Sequence, residues 1–441
     1  MVLEHDSHAP DDHVLDAPDE QTGLEGGLLS RAMIALRDRY FRALYFGNIL
    51  QFGSQQMQLF IRSYLVFQLT GSFALLGTMA LANAIPGVLL SPFGGVLADR
   101  APKKTVIQFA QGFNAVNAAV LALLASGALG IELHVWHLFL SSFLQGGVNS
   151  LMMPARQSII SDLVGPRRLM NAIGINSSGQ TLMQLIGPMI GGLLVKFLDP
   201  SAVFAVMAAM YLGAMSFTMR LPAHPLFEYD RSIGRDGRPR RRRGSFADIA
   251  DGMRYAWREP IIRALIGVNF LIVIVAMPYT MLLAGFVDEV LHRDAFELSM
   301  LQMVSGIGAV IGSVIIASGS SHRRGRRMIL WGALLGVSLV AFAASSNYWI
   351  TMPIMLVIGI GQAGRMATGQ VLVQTYAADE YRGRVTAVWF MQFSMVQFGT
   401  FFVGVLSELI GPQWAIGGLA AMMVVAMGLV WLFVPRIREL D

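Results

Sequence analysis

The fold of this chain is decided by the stretch Gly94-Gly95-Val96-Leu97-Ala98-Asp99-Arg100-Ala101-Pro102-Lys103-Lys104. It lies between two long apolar runs, one from Phe73 to Leu97 and one that begins at Thr105. Proline enforces a turn, glycine permits close contact between helices, and basic residues hold a loop on the cytoplasmic side of a membrane. The stretch therefore predicts a short cytoplasmic loop between two transmembrane helices.

The composition also indicates a membrane protein. The sequence has 441 residues, of which 54% are hydrophobic and 14% are charged. Soluble domains contain about 25% charged residues. Apolar runs long enough to cross a hydrocarbon core of about 30 Å recur along this chain. There is no cysteine, which excludes disulfides and thiolate chemistry.

We predict an all-α membrane protein with twelve transmembrane helices in two pseudo-symmetric bundles of six. These predicted spans, numbered 1 to 12, lie near residues 44–68, 74–98, 105–128, 134–156, 170–196, 202–220, 262–287, 296–319, 328–347, 349–372, 384–410 and 414–434. The predicted segments are a disordered acidic tail with a basic lead-in (1–40), a six-helix bundle (41–220), a basic linker with an amphipathic helix (221–261), a second six-helix bundle (262–435) and a short cytoplasmic tail (436–441).

The distribution of basic residues predicts the orientation in the membrane. Most of the 33 lysine and arginine residues fall in the lead-in, the linker, the C-terminal tail and the loops on the same side. Arg156, Arg167 and Arg168 are assigned to the second of those loops. Because basic loops stay on the cytoplasmic side, we expect both termini to be cytoplasmic.

The linker contains an arginine cluster, Arg240–Arg243, and an amphipathic segment from Ser245 to Trp257. Such a cluster binds either nucleic acid or anionic lipid headgroups, and its position beside a membrane helix favours the lipid. We therefore expect no nucleic-acid partner. The amphipathic segment predicts a helix that lies along the inner membrane surface.

Span 1 carries a polar stripe. Its members are Asn48, Gln51, Gln55, Gln58 and Arg62. Their spacing of three or four residues places them on one helix face, and such a face cannot meet hydrocarbon. Two interpretations stay open: a hydrogen-bonded seam between helices, or the wall of a water-filled central cavity. The arginine favours the cavity.

Spans 4, 7 and 10 add polar residues: Ser142, Gln145 and Asn149, then Asn269, then Gln362 and Arg365. An arginine inside a span is costly unless it is paired or hydrated, and no carboxylate lies in the middle of any span. Arg62 and Arg365 therefore either bind a substrate with anionic or strongly electronegative groups, or are held by backbone carbonyls.

The motif Gly-x-Leu-Ala-Asp-Arg-x-x-Lys-Lys, which begins at Gly95, resembles the loop signature between helices 2 and 3 of the major facilitator superfamily. Leu69–Ser72, Pro154–Gln157 and Arg382–Val385 resemble the branch that contains enterobactin exporters and macrolide-efflux proteins. The resemblance covers about residues 40–435. It implies a monomeric secondary transporter in the cytoplasmic (inner) membrane of a bacterium, with helices 1, 4, 7 and 10 around a central cavity.

The resemblance also implies an inner gate. Its residues would be Gly95, Asp99, Arg100, Lys103 and Lys104, with Asp99 as a latch that faces the positive N-terminal end of span 11. Drug–proton antiporters of the superfamily carry an arginine in span 4 where this chain has Ser142. That departure puts the usual proton relay in doubt.

Span 5 resembles a glycine motif of the superfamily's antiporters. The matching residues are Gly174, Gly187, Pro188, Gly191 and Gly192, and Met183 replaces one glycine of the motif. Small residues let another helix approach closely, so tight packing alone also accounts for them. The motif favours an exporter over an importer.

The expected function is export of small amphipathic molecules, such as a drug, a macrolide or a siderophore, by alternating access coupled to protons. The alternatives are an importer of an anionic metabolite and a membrane receptor or scaffold without transport. A membrane enzyme is disfavoured, because the sequence has neither a phosphate-binding glycine loop nor a histidine–carboxylate cluster. We expect no cofactor and no metal.

Overall fold

The computed structural model describes residues 36–128, 130–222, 224–227, 245–318, 323–378 and 380–440. Within those ranges the regular elements are helices, and no strand is present. This confirms the predicted all-α class. Most of the predicted N-terminal tail and the Arg240–Arg243 cluster lie outside the described residues.

The helices are labelled in chain order. Spans 1 to 6 are α1 (Arg39–Thr70), α2 (Phe73–Arg100), α3 (Lys103–Ala125), α4 (Val135–Leu163), α5 (Pro166–Phe197) and α6 (Pro200–Met219). The linker helix is α7 (Ser245–Arg258). The second half contains α8 (Pro260–Ala276), α9 (Tyr279–Glu289), α10 (Ala295–Ser318), α11 (Arg324–Ala344), α12 (Tyr348–Tyr376), α13 (Arg382–Phe390), α14 (Gln392–Ile410), α15 (Pro412–Phe433) and α16 (Pro435–Arg438). Spans 7 and 11 are divided, into α8 with α9 and α13 with α14.

Nine segments of the described chain are long and apolar enough to cross a membrane, when α8 with α9 and α13 with α14 each count as one segment. The helices α1, α4 and α5 are as long as these but more polar, and are not among the nine. They carry most of the candidate residues of the first half. The candidate residues therefore coincide with the most polar long helices of the first half.

A tight turn joins α1 to α2. Gly71 ends α1 with a φ of 63°, which glycine adopts readily, and its N–H donates to the Phe67 carbonyl at 2.7 Å. The Ser72 hydroxyl then accepts from the Leu75 N–H at 3.2 Å and caps α2. We call this side of the helix bundle the Gly71 end and the opposite side, where the loop before α3 lies, the Lys103 end.

Glycines bring the second and fourth helices of each half into backbone contact. A Cβ atom at Gly94 of α2 would lie 2.6 Å from the Ser150 carbonyl oxygen of α4. In the second half, a Cβ atom at Gly312 of α10 would lie 2.8 Å from the Ile360 carbonyl oxygen of α12. The two halves thus share one packing arrangement, as a repeated unit would.

The linker helix α7 packs against the second half at the Lys103 end. The ring of Tyr255 stacks on that of Tyr381, with 4.3 Å between centroids, and the Tyr255 hydroxyl accepts from the Ala378 N–H at 3.2 Å. A Cβ atom at Gly252 would lie 2.9 Å from the Arg384 carbonyl oxygen. The predicted amphipathic helix is therefore present, and contacts with protein hold it in place.

Candidate functional site

The polar stripe of α1 packs against α4 and α6. Gln58 accepts at Oε1 from the Gln145 amide of α4 and, at 3.3 Å, from the Tyr211 hydroxyl of α6. All stripe residues are buried except Gln55, which is partly exposed. In this conformation the stripe forms a hydrogen-bonded seam inside the first half.

Arg62 of α1 is held by two serine hydroxyls of α4. Its guanidinium donates to the Ser141 Oγ at 2.7 Å and to the Ser142 Oγ at 3.4 Å. The hydrogen bonds therefore go to side-chain oxygens, whereas the sequence suggested backbone carbonyls or substrate. Ser142 stands where the antiporters carry an arginine, and here an arginine from α1 reaches that position.

Arg156 corrects one sequence-based assignment. We expected it in a cytoplasmic loop, but α4 continues to Leu163 and Arg156 is inside the helix with only 4% of its surface exposed. The expectation was wrong because the apolar run ends early, while the buried face of α4 continues through Ile159 and Ile160. That spacing of three and four residues is the signal that the sequence contained.

Two side chains of α1 contact the Arg156 guanidinium directly, and a third side chain is linked to it through Asn48. Its Nε–H donates to the Asn48 Oδ1 at 3.2 Å, and its plane lies over the Phe52 ring at 3.8 Å from the centroid. Asn48 in turn donates to the Asn176 Oδ1 of α5 at 2.7 Å. Arg156 thus links α4 to α1 and α5.

The second half contains a smaller polar cluster. Arg365 of α12 donates to the Asn269 Oδ1 at 2.5 Å, and Asn269 of α8 donates to the Gln392 Oε1 of α14 at 3.3 Å. Sequence reasoning found Arg365 and Asn269 but missed Gln392, which lies at the break of span 11. Gln362 accepts only a long bond, 3.5 Å, from the Tyr279 hydroxyl.

Asn149 lies apart from both clusters, because it accepts from the Asn114 Nδ2 of α3 at 3.2 Å. Among the buried polar side chains of the described residues, the charged ones are three arginines: Arg62, Arg156 and Arg365. None is an aspartate or a glutamate. The interior of the protein therefore carries uncompensated positive charge, which favours an anionic ligand.

The predicted inner-gate loop is connected to the first half. Lys103 forms an ion pair with Asp162 of α4, and the Lys104 Nζ donates to the carbonyl oxygens of Met219 at 2.8 Å and Leu221 at 2.6 Å. Arg100 is exposed. Sequence reasoning missed Asp162, and the side chain of Asp99 lies outside the part of the chain that the structure describes.

The glycine motif of α5 contacts two different helices. A Cβ atom at Gly187 would lie 2.7 Å from the Gln56 Cβ of α1, and one at Gly191 would lie 2.7 Å from the Phe60 ring. Gly192 instead packs so closely on Ser299 of α10 that a Cβ atom would overlap its side chain. Pro188 lies inside the helix, and Gly174 has no atom within 4 Å of a Cβ position.

A second contact between the two halves lies at the Gly71 end, where α2 meets α14. The Glu408 Oε2 accepts from the Phe73 N–H at 2.8 Å, the Ser72 hydroxyl at 3.1 Å and the Ala74 N–H at 3.3 Å. A carboxylate is stabilised at this position by the exposed N–H groups of the helix start. Beside it, a Cβ atom at Gly404 would lie 2.6 Å from the Phe73 carbonyl oxygen.

The model of one protein family matches residues 30–441, and its description is "Transmembrane secretion effector". The chain belongs to this family. Curated relatives agree: it is 24% identical to multidrug efflux pump Tap of Mycobacterium tuberculosis, over 86% of this chain and 89% of the relative. It is 23% identical to macrolide efflux protein A of Streptococcus pyogenes, over 87% and 93%.

Solved structures show that this transmembrane secretion effector has the fold of major facilitator transporters. A bacterial homologue of the human lysosomal transporter Spinster, in an inward-facing and occupied conformation, matches with a TM-score of 0.71 at 14% identity, over 90% of this chain and 97% of that one. A nucleoside transporter matches with a TM-score of 0.66 at 15% identity, over 88% and 99%. The resemblance found in the sequence is therefore confirmed.

One prediction tests whether the serines hold Arg62. The double change Ser141→Ala with Ser142→Ala removes both partners and leaves a buried guanidinium unsatisfied, which costs about 1.5–3 kcal/mol. We expect the midpoint of thermal unfolding in detergent to fall by several degrees. The control is Ser178→Ala with Ser216→Ala, two exposed serines that bond only to carbonyls of their own helices. Equal midpoints for the two double variants would contradict the assignment.

Proposed function

We propose that this transmembrane secretion effector exports small amphipathic molecules across the cytoplasmic membrane of a bacterium by alternating access. The relatives named as efflux pumps support export. The proposed topology adds α1, α4 and α5 to the nine apolar segments, which makes twelve spans in the bundles 41–220 and 262–435. The basic residues orient the Lys103 end toward the cytoplasm.

The main support for the proposal is a difference in packing between the two ends of α2. A Cβ atom at Gly77 would lie 2.8 Å from the Thr400 carbonyl oxygen and 2.9 Å from the Phe401 Cα, both in α14. Gly95 follows eighteen residues later, which is about five helical turns and places it on the same face of α2. A Cβ atom there would meet no atom of the described residues within 4 Å. Among the described residues, the face of α2 that touches the second half at the Gly71 end therefore makes no such close contact at Gly95.

The helix α5 shows the same difference. Gly192 contacts Ser299 of the second half, whereas a Cβ atom at Gly174, again about five turns away, would meet no described residue within 4 Å. Both helices thus meet the second half at the Gly71 end and have a free glycine at the Lys103 end. This supports an inward-facing conformation, in which a rocking motion would exchange one set of contacts for the other.

We propose that protons drive export and that Glu408 accepts them. It belongs to one half and binds the helix start of the other, so protonation would weaken a contact that closes the Gly71 end. No ion pair of the described residues involves Glu408, and the groups facing it are the Ser72 hydroxyl and two N–H groups of α2. Asp99 is proposed as the latch of the opposite, inner gate.

The change Glu408→Gln tests proton coupling. Glutamine keeps the shape and an acceptor oxygen but cannot change its charge. We expect a pH gradient to accelerate export about tenfold in the natural protein and to have no effect in the variant, a difference of about 1.4 kcal/mol. The measurement is export in vesicles with and without a gradient, with Glu289→Gln as control. A variant that responds to the gradient like the natural protein would exclude Glu408.

The function itself is tested by flux. The purified protein is placed in vesicles with labelled erythromycin as the probe, and a pH gradient is applied in either direction. Net movement from the Lys103 end to the Gly71 end supports export. Net movement in the opposite direction would support the importer, and no movement of this probe or of a panel of amphipathic compounds would support the receptor or scaffold.

The proposed partners are the bilayer, with anionic headgroups at Arg240–Arg243, the exported molecule and protons. We propose a monomer, as the family resemblance implies, without a nucleic-acid partner. The arginine cluster lies outside the described residues, so the proposal for it depends on its charge and its position next to α7.

A further inference from the structure

One edge of the Arg156 guanidinium is buried without a hydrogen-bond partner. Its Nε–H is used by Asn48 and its plane by Phe52, whereas neither terminal nitrogen, Nη1 or Nη2, has a hydrogen-bond partner. These two nitrogens form the planar fork with which arginine binds both oxygens of a carboxylate. The neighbours thus hold the fork in one orientation and leave its donors unoccupied.

The other two buried arginines differ from Arg156. Arg62 uses both of its terminal nitrogens on serine hydroxyls, and Arg365 uses Nη1 on Asn269. In each of them the Nε lacks a partner, whereas at least one terminal nitrogen is used. Arg156 is therefore the buried arginine whose end-on fork is unoccupied. A buried cation in that state is strongly unfavourable unless an anion joins it.

A second unpartnered side chain lies on the same face of α1. Gln51 is fully buried, and neither its Nε2 nor its Oε1 has a hydrogen-bond partner. It is three residues after Asn48 and one before Phe52, the two residues of α1 that contact Arg156. Residues three apart share a helix face, so the Gln51 amide is available to the same ligand.

We propose that Arg156 and Gln51 bind the carboxylate of an anionic, amphipathic cargo molecule, a proposal that rests on the proposed export function. The fork donates to both carboxylate oxygens, and the Gln51 amide donates a further bond. Arg156 is seven residues from the end of α4, about 10 Å along the helix from the uncovered Lys103 end. The site therefore lies in the part of the first half that is nearer to the proposed cytoplasmic side.

Direct binding tests this site without requiring transport. The probe is 1-pyrenebutyrate, its uncharged control is the amide of the same acid, and binding to the full chain in lipid nanodiscs is followed by fluorescence anisotropy. We expect the acid to bind about tenfold more tightly than the amide, a preference carried by the charge-assisted fork. Arg156→Gln should remove that preference, and Arg156→Lys, which keeps the charge but not the fork, should retain part of it.

The matched control is Arg220→Gln, which removes an exposed arginine that also stacks on an aromatic ring, that of Phe217. It should keep the preference for the acid. If Arg156→Gln fails to fold, Gln51→Leu serves instead and should weaken binding of the acid more than that of the amide. Displacement of the probe by millimolar acetate would show that a free small carboxylate also occupies the site; no displacement would assign the carboxylate to the cargo.

Equal binding of acid and amide by the natural protein would overturn the proposal, and so would an Arg156→Gln variant that keeps the preference. Failure of the export function gives a different result. In that case neither erythromycin nor any compound of the amphipathic panel, 1-pyrenebutyrate included, moves in the vesicle experiment, whereas the preference for the acid persists and depends on Arg156. If transport occurs and the preference is absent, export stands and the carboxylate site does not.

Discussion

Gly77→Val is expected to abolish export and to hold the protein open at the Gly71 end. Even a Cβ atom at Gly77 would meet backbone atoms of Thr400 and Phe401, which cannot rotate away. The halves can then fold but cannot close against each other on this side. We expect transport to fall by more than about tenfold, which corresponds to more than about 1.4 kcal/mol of lost closure free energy.

The natural chain lacks cysteine, so one introduced thiol reports this conformational change. Ser299→Cys places it in the contact between α10 and Gly192 of α5, where Ser299 is fully buried. A membrane-impermeant maleimide added at the Gly71 end should label it slowly in the otherwise natural protein and much faster with Gly77→Val. Unchanged labelling, or normal transport, would contradict the proposed closure.

The matched control is Gly418→Val in α15. It makes the same chemical change within a helix, but a Cβ atom there would meet no atom within 4 Å. Valine is a better helix former than glycine at both positions, so the difference between the variants reports the contact with α14 and not helix propensity. We expect the control to transport and to be labelled like the natural protein.

Gly95→Val is expected to have an equally large effect on transport and the opposite effect on labelling. Gly95 is uncovered in this conformation, so the new side chain does not disturb it. Closing the Lys103 end would bring the same face of α2 against the second half, as Gly77 already is at the other end. The valine would then block that closure and trap the inward-facing state.

Labelling of the thiol of Ser299→Cys distinguishes a variant that cannot close the Gly71 end from one that cannot close the Lys103 end. With Gly95→Val, the thiol of Ser299→Cys should be labelled more slowly than in the natural protein, because the Gly71 end stays closed. With Gly77→Val it should be labelled faster. If both variants shifted labelling in one direction, general destabilisation and not a blocked exchange would be the cause. Gly418→Val again provides the baseline.

Patterns of neighbouring residues in the sequence predicted the fold class, the polar face of α1 and the family. Apolar runs predicted that the elements are helices, because a bilayer admits hardly any other structure between two aqueous phases. The polar stripe on α1 followed from helical periodicity, since spacing alone places Asn48, Gln51 and Gln58 on one face. The family resemblance rested on short motifs such as the one that begins at Gly95, and the family match confirmed it.

The predictions failed where a helix continues beyond its apolar run. Hydropathy ended span 4 at Arg156, because a charged residue counts as polar wherever its side chain points. Packing decided otherwise: Asn48 and Phe52 supply a hydrogen bond and a ring face, so the guanidinium stays inside the bundle. Sequence reasoning could not find the partners of Glu408 either, because its bonds to Phe73 and Ser72 join residues more than three hundred positions apart.

By itself, the sequence determined that this chain is a helical membrane protein of the major facilitator type, and it predicts which way the basic loops face. Those properties depend on composition and on spacing along one helix. Only the tertiary structure decided which glycines contact another helix and which buried arginine has two terminal nitrogens without a hydrogen-bond partner. From the sequence alone, Gly77 and Gly95 cannot be told apart, because both are glycines on one face of α2. The arginines within the spans cannot be told apart from the sequence either. What separates them is the partner that the fold brings within a few ångströms.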